Sequence, residues 1–177
     1  MIILTGIIYP LFMTGVAQLT FPAKANGSLL IKDGKIAGSE LIGQKFDSSI
    51  YFWSRPSAID YNPIPSAASN FGPTSDKLKK QVAERRILFA TKNLITDATV
   101  IPKEMIFASA SGLDPHISPE AALLQLKRIA ISRNLNETQK QKVQQLIKNK
   151  TEGPQFSLFG ERRINVFELN LALDNIR

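Results

Sequence analysis

The sequence predicts an α+β fold in which one N-terminal transmembrane helix, residues 1–23, precedes a single mixed α/β soluble domain, residues 24–177. Three observations support this prediction. The first 23 residues carry no charged side chain, residues 29–36 have the pattern of a short hairpin, and residues 75–173 contain four segments with helix-cap residues and helical spacing of apolar side chains. A length of 177 residues fits one domain with its own core.

The N-terminal segment is long enough to span a bilayer. As a helix it would extend about 35 Å, against a hydrocarbon core of about 30 Å. A cleaved signal peptide, with Ala23-Lys24-Ala25 as a small-x-small site, and a buried core helix are the alternatives, but a signal peptide has a basic start and a shorter apolar core. Pro10 is expected to kink the helix. Three residues offer a small surface for packing against another transmembrane helix: Gly6, Thr14 and Gly15.

The first part of the body is predicted to be extended and loop-rich. Residues 29–31, followed by Asp33-Gly34 and Ile36, suggest a hairpin, and residues 50–53 suggest a second extended piece. Residues 54–75 are polar and rich in proline. A loop of this length inside a compact domain is usually functional or disordered, so we expect an ordered functional loop or a linker.

Four helices are predicted from caps and apolar spacing. The first begins at Thr74 or Ser75. The second begins at Ser118-Pro119-Glu120 and runs to about Asn134. The third begins at Asn136 with Gln139, and the fourth begins at Asn165 with Glu168. The apolar residues predicted to face inward from the first three helices are Leu78, Val82, Ile87, Phe89, Ala122, Leu123, Leu126, Ile129, Ala130, Val143, Leu146 and Ile147.

The run from Ser111 to Pro119, S-G-L-D-P-H-I-S-P, has the most constrained backbone in the chain and contains its one histidine, His116. Its two prolines fix φ, and Gly112 permits a positive φ. Ser111, Asp114 and His116 suggest a hydrolase triad, but triad members normally come from separate segments of the chain. A lone histidine with one nearby carboxylate also provides too few ligands for zinc, so we predict no catalytic residue and no metal site here.

The preferred interpretation is that this loop provides shape and partner contact. Asp114 is expected to accept backbone hydrogen bonds, His116 to do the same or to face a partner, and Ser118 to cap a helix. Arg55 could clamp a ligand carboxylate or form a structural ion pair, and we predict that it lies near Asp114. The other residues expected to shape the loops or to contact a partner are Ser57, Ser69, Asn70, Ser111 and Gly112.

Several blocks in fixed order carry a family resemblance. Besides Ser109–Pro119 they are residues 11–17, 26–28, 41–44 (L-I-G-Q), 55–58 (R-P-S-A), 69–70 and 165–174 (N-V-F-E-L-N-L-A-L-D). With them the chain resembles the C subunit of the Kdp-type potassium-transporting P-type ATPase over nearly its whole length. Members of that family usually carry further, often basic, residues before the first apolar segment.

The resemblance implies a non-catalytic accessory subunit of a high-affinity ATP-driven potassium uptake complex. This subunit would stabilise assembly and act as a catalytic chaperone for ATP binding by the ATP-hydrolysing subunit. Its partners would be that subunit and the channel-like potassium-binding subunit, in the inner cell membrane. ATP and potassium would be handled by the complex, with no cofactor bound tightly to this chain. The sequence agrees, because it contains no glycine-rich phosphate loop, no dinucleotide fingerprint and no P-type phosphorylation motif.

The orientation in the membrane is predicted differently by two arguments. Lys24, Lys32 and Lys35 follow the apolar segment and no lysine or arginine precedes it, so the positive-inside rule places the body in the cytoplasm. The resemblance implies a single-pass protein with an extracytoplasmic body. We follow the resemblance, because long domains translocate with little regard to charge and because the retaining charges would normally lie in the further N-terminal residues of the family.

The formal net charge of +7 suits a nucleic acid, an anionic lipid surface or an acidic protein partner. Since residues 118–147 read as two helices around a short turn, a membrane-anchored basic helix-turn-helix DNA-binding protein is the alternative function. No cluster of lysine and arginine lies at the exposed start of one helix, so we expect no nucleic-acid partner. The absence of cysteine excludes disulfides, thiolate zinc sites and cysteine nucleophiles.

Overall fold

The computed structural model describes residues 1–32, 34–64 and 66–176. The chain divides into two compact units, Met1–Ile42 and Gly43–Arg177. The predicted boundary after residue 23 stays a prediction.

The first unit is a helical segment followed by a hairpin. A π-helical stretch, Leu4–Ile8, leads directly into α1 (Tyr9–Thr20), and a short α2 (Pro22–Ala25) follows. The change from π to α geometry lies beside Pro10, where the missing N–H interrupts the helical hydrogen bonds. Within the described residues, no helix combines the length and the apolar composition that crossing a membrane requires. The transmembrane anchor therefore stays a prediction.

The predicted hairpin is confirmed. Strand β1 (Leu29–Lys32) pairs antiparallel with β2 (Lys35–Ser39), and a bulge lies between Leu30 and Ile31. Gly34 has a φ of +74°, as a glycine in such a tight turn often does. Asp33, which the prediction placed in the same turn, lies outside the described residues.

The second unit is mainly helical. Its elements are α3 (Asp76–Asn93), two 3₁₀ turns (Ala98–Val100 and Lys103–Met105), β3 (His116–Ile117), α4 (Pro119–Ser132), α5 (Glu137–Asn149), β4 (Ile164–Asn165) and α6 (Val166–Leu173). Strands β3 and β4 pair antiparallel, with His116 opposite Asn165 and Ile117 opposite Ile164. This two-residue pairing joins the loop that precedes α4 to the start of α6.

The four predicted helix starts are confirmed by cap hydrogen bonds. Ser75, Ser118 and Asn136 each accept a hydrogen bond from the backbone N–H three residues later, and Asn165 accepts from the N–H groups of Phe167 and Glu168. Asn136 and Gln139 form a complete capping box. Helix α4 ends at Ser132, close to the predicted end at about Asn134, and Asn134 itself adopts a left-handed conformation with a φ of 52°.

Two predicted core positions are wrong. Ile87 in α3 is 67% exposed and Leu123 in α4 is 48% exposed. On α4 the buried face contains Ala121, Ala122, Gln125, Arg128 and Ile129, so two polar side chains occupy positions that an apolar stripe would fill. The buried core of the unit also includes Phe52, Phe89, Met105, Ile106, Val143, Ile147, Ile164, Val166, Leu169 and Leu173.

Residues 50–53, predicted to be a second extended piece, are not part of a strand. A turn covers Ser49 and Ile50, and the next residues pair with side-chain amides. Phe52 N–H donates to Asn170 Oδ1 at 2.8 Å and its carbonyl accepts from Asn170 Nδ2 at 2.9 Å, while Trp53 N–H donates to Gln125 Oε1 at 2.7 Å. The backbone groups that a strand ladder would satisfy are therefore satisfied from α6 and α4.

Candidate functional site

The backbone of the Ser111–Pro119 loop is constrained to a defined conformation, as predicted. Gly112 has a φ of +72°, and a Cβ built on it would lie 2.6 Å from Ile59 Cγ1. Both the conformation and the space therefore require glycine. The Ser66 hydroxyl, from the proline-rich loop, donates to the Ser111 carbonyl at 2.8 Å. Two loops that are distant in sequence thus pack against each other.

Asp114 is the centre of this packing. Its Oδ1 accepts a hydrogen bond from the His116 backbone N–H at 3.0 Å and lies 3.3 Å from His116 Nδ1. Its Oδ2 accepts from Arg55 Nη1 at 2.5 Å. The predicted proximity of Arg55 and Asp114 is confirmed, as is the predicted acceptance of a backbone hydrogen bond by Asp114. Arg55 is thus part of an ion pair within the second unit.

The Arg55 carbonyl is held by Tyr61, whose own backbone is bound by Ser57. The Tyr61 hydroxyl donates to the Arg55 carbonyl at 2.6 Å, and Ser57 Oγ accepts from the Tyr61 N–H at 3.0 Å. Burial raises the pKa of Tyr61 to about 12, so its hydroxyl stays a donor at neutral pH. Arg55 Nε is buried and has no hydrogen-bond partner among the residues that the structure describes.

Ser118 links the loop to α4 and to a 3₁₀ turn. Its Oγ accepts from the Ala121 N–H at 3.1 Å, as a helix cap, and donates to Glu104 Oε1 at 2.5 Å. Ser111 Oγ accepts from the Leu113 N–H at 3.1 Å, which is a local turn contact. No hydrogen bond between Ser111 and His116 occurs in the described part of the chain, so these side chains lack the nucleophile–base contact of a hydrolase triad.

An open, charged cleft of about 310 Å³ lies beside the loop. Its lining contains three arginines and three acids: Arg55, Arg162, Arg163, Glu104, Asp114 and Glu161. His116, Ile117 and Ser118 complete the lining. Within the described ranges, no three side chains of the histidine, cysteine, aspartate and glutamate types are arranged to hold a metal ion. The cleft therefore presents side chains of both charges.

Some predicted residues lie outside this cleft. Asn70, in the proline-rich loop, has a φ of 52° and is exposed, which is typical of asparagine in a turn, and Ser69 beside it is half-buried. In the first unit, Thr14 Oγ1 donates to the Pro10 carbonyl at 2.8 Å. Gly6 and Gly15 have open space where a Cβ would lie.

Comparison with known proteins identifies the family. The family model described as "KdpC: K+-transporting ATPase, c chain" matches residues 1–175. The chain belongs to the KdpC family. A protein of Dechloromonas aromatica described as potassium-transporting ATPase KdpC subunit is 48% identical over 176 residues, covering 97% of this chain and 90% of the relative. A protein of Methylococcus capsulatus with the same description is 48% identical over 179 residues, covering 99% and 92%.

Membership in the KdpC family confirms the resemblance and makes the chain a subunit of a multi-subunit, membrane-associated potassium-transporting ATPase. The Arg55–Asp114 pair joins two of the blocks that carry the resemblance, R-P-S-A and S-G-L-D-P-H-I-S-P. A third block, L-I-G-Q, reaches the same place, because the Gly43 N–H donates to the Leu113 carbonyl at 2.7 Å.

Asp114 stays ionised down to low pH. Burial on its own raises its pKa, but the hydrogen bonds from His116 and the charge of Arg55 outweigh burial and lower the pKa from 3.8 to about 2. The folded carboxyl therefore binds its proton less readily than the unfolded one. Its contribution to stability is present above pH 4 and is lost as the pH falls towards 2.

Replacing Asp114 with asparagine is expected to lower the free energy of unfolding by about 2 kcal/mol at pH 7, because the variant lacks this ionised state. The difference from the wild type should shrink as the pH falls from 4 to 2. Urea titrations between pH 2 and 7 measure it. Asp60→Asn, which removes an exposed carboxylate paired with Lys45, is the matched control and should show little change. A deficit that stays constant with pH would contradict the linkage.

Sequence reasoning missed three buried polar side chains that bind the segment before Arg55. Gln125 and Arg128 on α4 and Asn170 on α6 are buried and bind residues 48–53, the segment that leads into Arg55. The adjacent polar positions on an otherwise apolar helix face were the available signal, but they do not name their partners. Asn170 does lie in the block N-V-F-E-L-N that carries the resemblance.

Arg128 is a buried cation with neutral partners only, within the described residues. Its Nε donates to Asn93 Oδ1, its Nη1 to the carbonyls of Ser48 and Ser49, and its Nη2 to the Tyr51 carbonyl and Gln125 Oε1, at 2.6–3.2 Å. The guanidinium also lies 4.3 Å from the centre of the Trp53 ring. Burial lowers the pKa of Arg128 to about 10, so the group stays charged at neutral pH.

Proposed function

We propose that this chain is a non-catalytic accessory subunit of an ATP-driven potassium uptake complex, in which its second unit holds a preformed contact surface against other subunits. The observation that carries this proposal is the cross-connection of residues 43, 55 and 111–118 through the Arg55–Asp114 pair and the Gly43–Leu113 hydrogen bond. A surface ordered in advance loses little conformational entropy when it docks. In the described residues the same loop lacks the contacts of a nucleophile.

The proposed partners are the channel-like potassium-binding subunit and the ATP-hydrolysing subunit. By stabilising the assembled state, the chain would support ATP binding by the hydrolysing subunit and act as a catalytic chaperone without holding ATP or potassium tightly itself. Such an effect requires only that docking favours the nucleotide-competent conformation of the partner.

We also propose that residues 1–23 anchor the chain in the inner membrane and that the body lies outside the cytoplasm. The uncharged composition of this segment supports the anchor. Gly6 and Gly15 leave open space on an exposed helix surface, and Thr14 satisfies its hydroxyl within the helix, so another helix can approach closely there.

Complexes reconstituted with His116→Ala are expected to contain folded subunit and to hydrolyse ATP at the wild-type rate per assembled complex, with at most weaker assembly.

Gly15→Leu should reduce co-purification of the complex while leaving membrane insertion intact, and Val16→Leu is its neighbouring control. Subunit stoichiometry and ATPase activity at equal occupancy measure both. Complete loss of turnover in a fully assembled His116→Ala complex would contradict a contact-only loop.

Cells that contain the complex can be used to test the orientation of the body. Protease added outside intact spheroplasts should digest the body after Lys24, because an extracytoplasmic body is accessible from that side. A body that stays intact under conditions that digest it in broken cells would place it in the cytoplasm.

A further inference from the structure

Residues 152–163 form a narrow hairpin that projects between α5 and β4. Glu152 and Arg163 exchange both backbone hydrogen bonds, at 2.8 and 3.1 Å, and Gln155 and Phe159 do the same nearer the turn, at 2.8 and 2.9 Å. Arg163 Nε also pairs with the Glu152 carboxylate at 2.9 Å. Arg162 Nη2 pairs with Glu120 of α4 at 2.8 Å, so the base of the hairpin is attached to the helical body.

The tip of this hairpin exposes three large apolar side chains. Phe156 is 88% exposed, Leu158 is 80% exposed and Phe159 is 67% exposed. The turn places Phe156 and Ser157 in the left-handed region, with φ values of 53° and 60°. This conformation costs a non-glycine residue about 1 kcal/mol or more. The chain thus holds apolar side chains in solvent on a strained turn, a combination that stability alone does not favour.

We propose that the tip, residues 156–159, is an anchor that inserts into an apolar pocket of another protein subunit of the ATPase. This inference rests on the proposed function and names the part of the contact surface that supplies its apolar anchor. Exposed aromatic and aliphatic side chains on a rigid support are the typical central contacts of protein interfaces.

The position of the hairpin makes it continuous with the proposed contact surface. Glu161, Arg162 and Arg163 at its base line the same cleft as Arg55, Asp114 and His116. A partner that covers the cleft is therefore adjacent to the hairpin, and the polar cleft would form the rim beside an apolar anchor.

The charge of the hairpin favours a protein partner over a lipid surface. Residues 152–163 contain two acids, Glu152 and Glu161, and two arginines, Arg162 and Arg163, so their formal charges cancel. An anionic leaflet attracts segments in which lysine and arginine outnumber the acids, and in this hairpin they do not. A fixed turn geometry matches a pocket of defined shape, whereas insertion into fluid lipid does not require one.

The direct test removes the apolar tip. In the full chain, Phe156→Ser/Leu158→Ser/Phe159→Ser should weaken binding to the complex that lacks this subunit by about 30-fold or more, because such anchors dominate interface affinity. The melting temperature should stay close to the wild type, since the three side chains are exposed. Ile87→Ser/Leu88→Ser, which removes exposed apolar side chains of α3, is the matched control and should bind normally.

A second measurement keeps the native tip. The chain has no cysteine, so Leu158→Cys and the control Leu123→Cys each provide a single reactive site. Maleimide should label both sites in the isolated subunit, and assembly should slow labelling at 158 by about tenfold or more while leaving 123 accessible, because a side chain inside a pocket is shielded from solvent. Wild-type affinity of the triple variant, or unchanged labelling at 158 in the complex, would overturn the anchor.

The outcomes separate this inference from the proposed function. If assembly tolerates the tip variant but fails on disruption of the Arg55–Asp114 pair, the anchor is wrong and the contact surface stands. If neither change affects assembly, both the anchor and the contact surface are wrong. Quenching of a fluorophore at position 158 by brominated lipid in vesicles without partner subunits would assign the tip to the membrane and would also overturn the proposal.

Discussion

Replacing Arg128 with methionine is expected to lower the free energy of unfolding by about 3 kcal/mol or more, one of the largest effects of any single substitution in this chain. Methionine keeps much of the apolar volume but donates no hydrogen bond. Five acceptors would each lose a hydrogen bond: Asn93 Oδ1, Gln125 Oε1 and the carbonyls of Ser48, Ser49 and Tyr51. Gln125 Oε1 and the Ser48 carbonyl would keep their hydrogen bonds from Trp53. Because the Asn93 and Gln125 side chains are buried, their oxygens cannot bind water instead.

Urea denaturation followed by circular dichroism measures this loss. Lys127→Met removes the same charge from the neighbouring, exposed position of α4 and should change stability by less than about 0.5 kcal/mol. Arg128→Lys should also be clearly destabilising, since an ammonium has three donors and the guanidinium here uses five. A methionine variant as stable as the wild type would show that the cost of burying the charge cancels the value of its hydrogen bonds.

Gly43→Ala is expected to be destabilising by about 2 kcal/mol, the usual range for adding atoms to a filled space. A Cβ there would lie 2.7 Å from the Asp114 carbonyl oxygen and 2.9 Å from that of Leu113. Both neighbours are backbone atoms of the constrained loop, so the methyl group fits only if the loop moves. That movement would also lengthen the hydrogen bond from the Gly43 N–H to Leu113.

Gly72→Ala is the matched control for this substitution. Nothing lies within 4 Å of a Cβ at Gly72, so the added methyl group should be tolerated. Thermal unfolding and co-purification with the other subunits should both distinguish the two variants. If Gly43→Ala melts and assembles like Gly72→Ala, the close approach of the two backbones is not essential to the site.

The parts of this structure that local chemistry determines could be predicted from the sequence. The side chains of helix caps such as Ser118 and Asn136 accept hydrogen bonds from the backbone N–H groups three residues later. The Arg55–Asp114 pair was also predictable, because each of two turn-rich loops contains one conspicuous charge, although they are 59 residues apart. In such cases the residue type itself indicates the hydrogen-bond or ion-pair partner that it requires.

The parts that depend on distant partners could not be predicted. Helical spacing placed Leu123 inward, whereas the buried face of α4 instead includes Gln125 and Arg128. These side chains are stable inside only because residues 48–53, more than 70 positions away, supply their hydrogen-bond partners. Conversely, residues 50–53 were predicted to be extended from their apolar and aromatic residue types, but the backbone of Phe52 pairs with the Asn170 side-chain amide and not with a neighbouring strand.

The surroundings of Arg128 have a consequence for a subunit of a potassium-transporting complex. Backbone carbonyls and amide oxygens in a ring are the ligand type with which potassium filters replace the hydration shell of the ion. Here such oxygens bind a cation that is covalently part of the chain and that stays protonated at neutral pH. The cation that these oxygens bind is therefore a fixed part of the protein, and the cluster needs no ion from solution to occupy it.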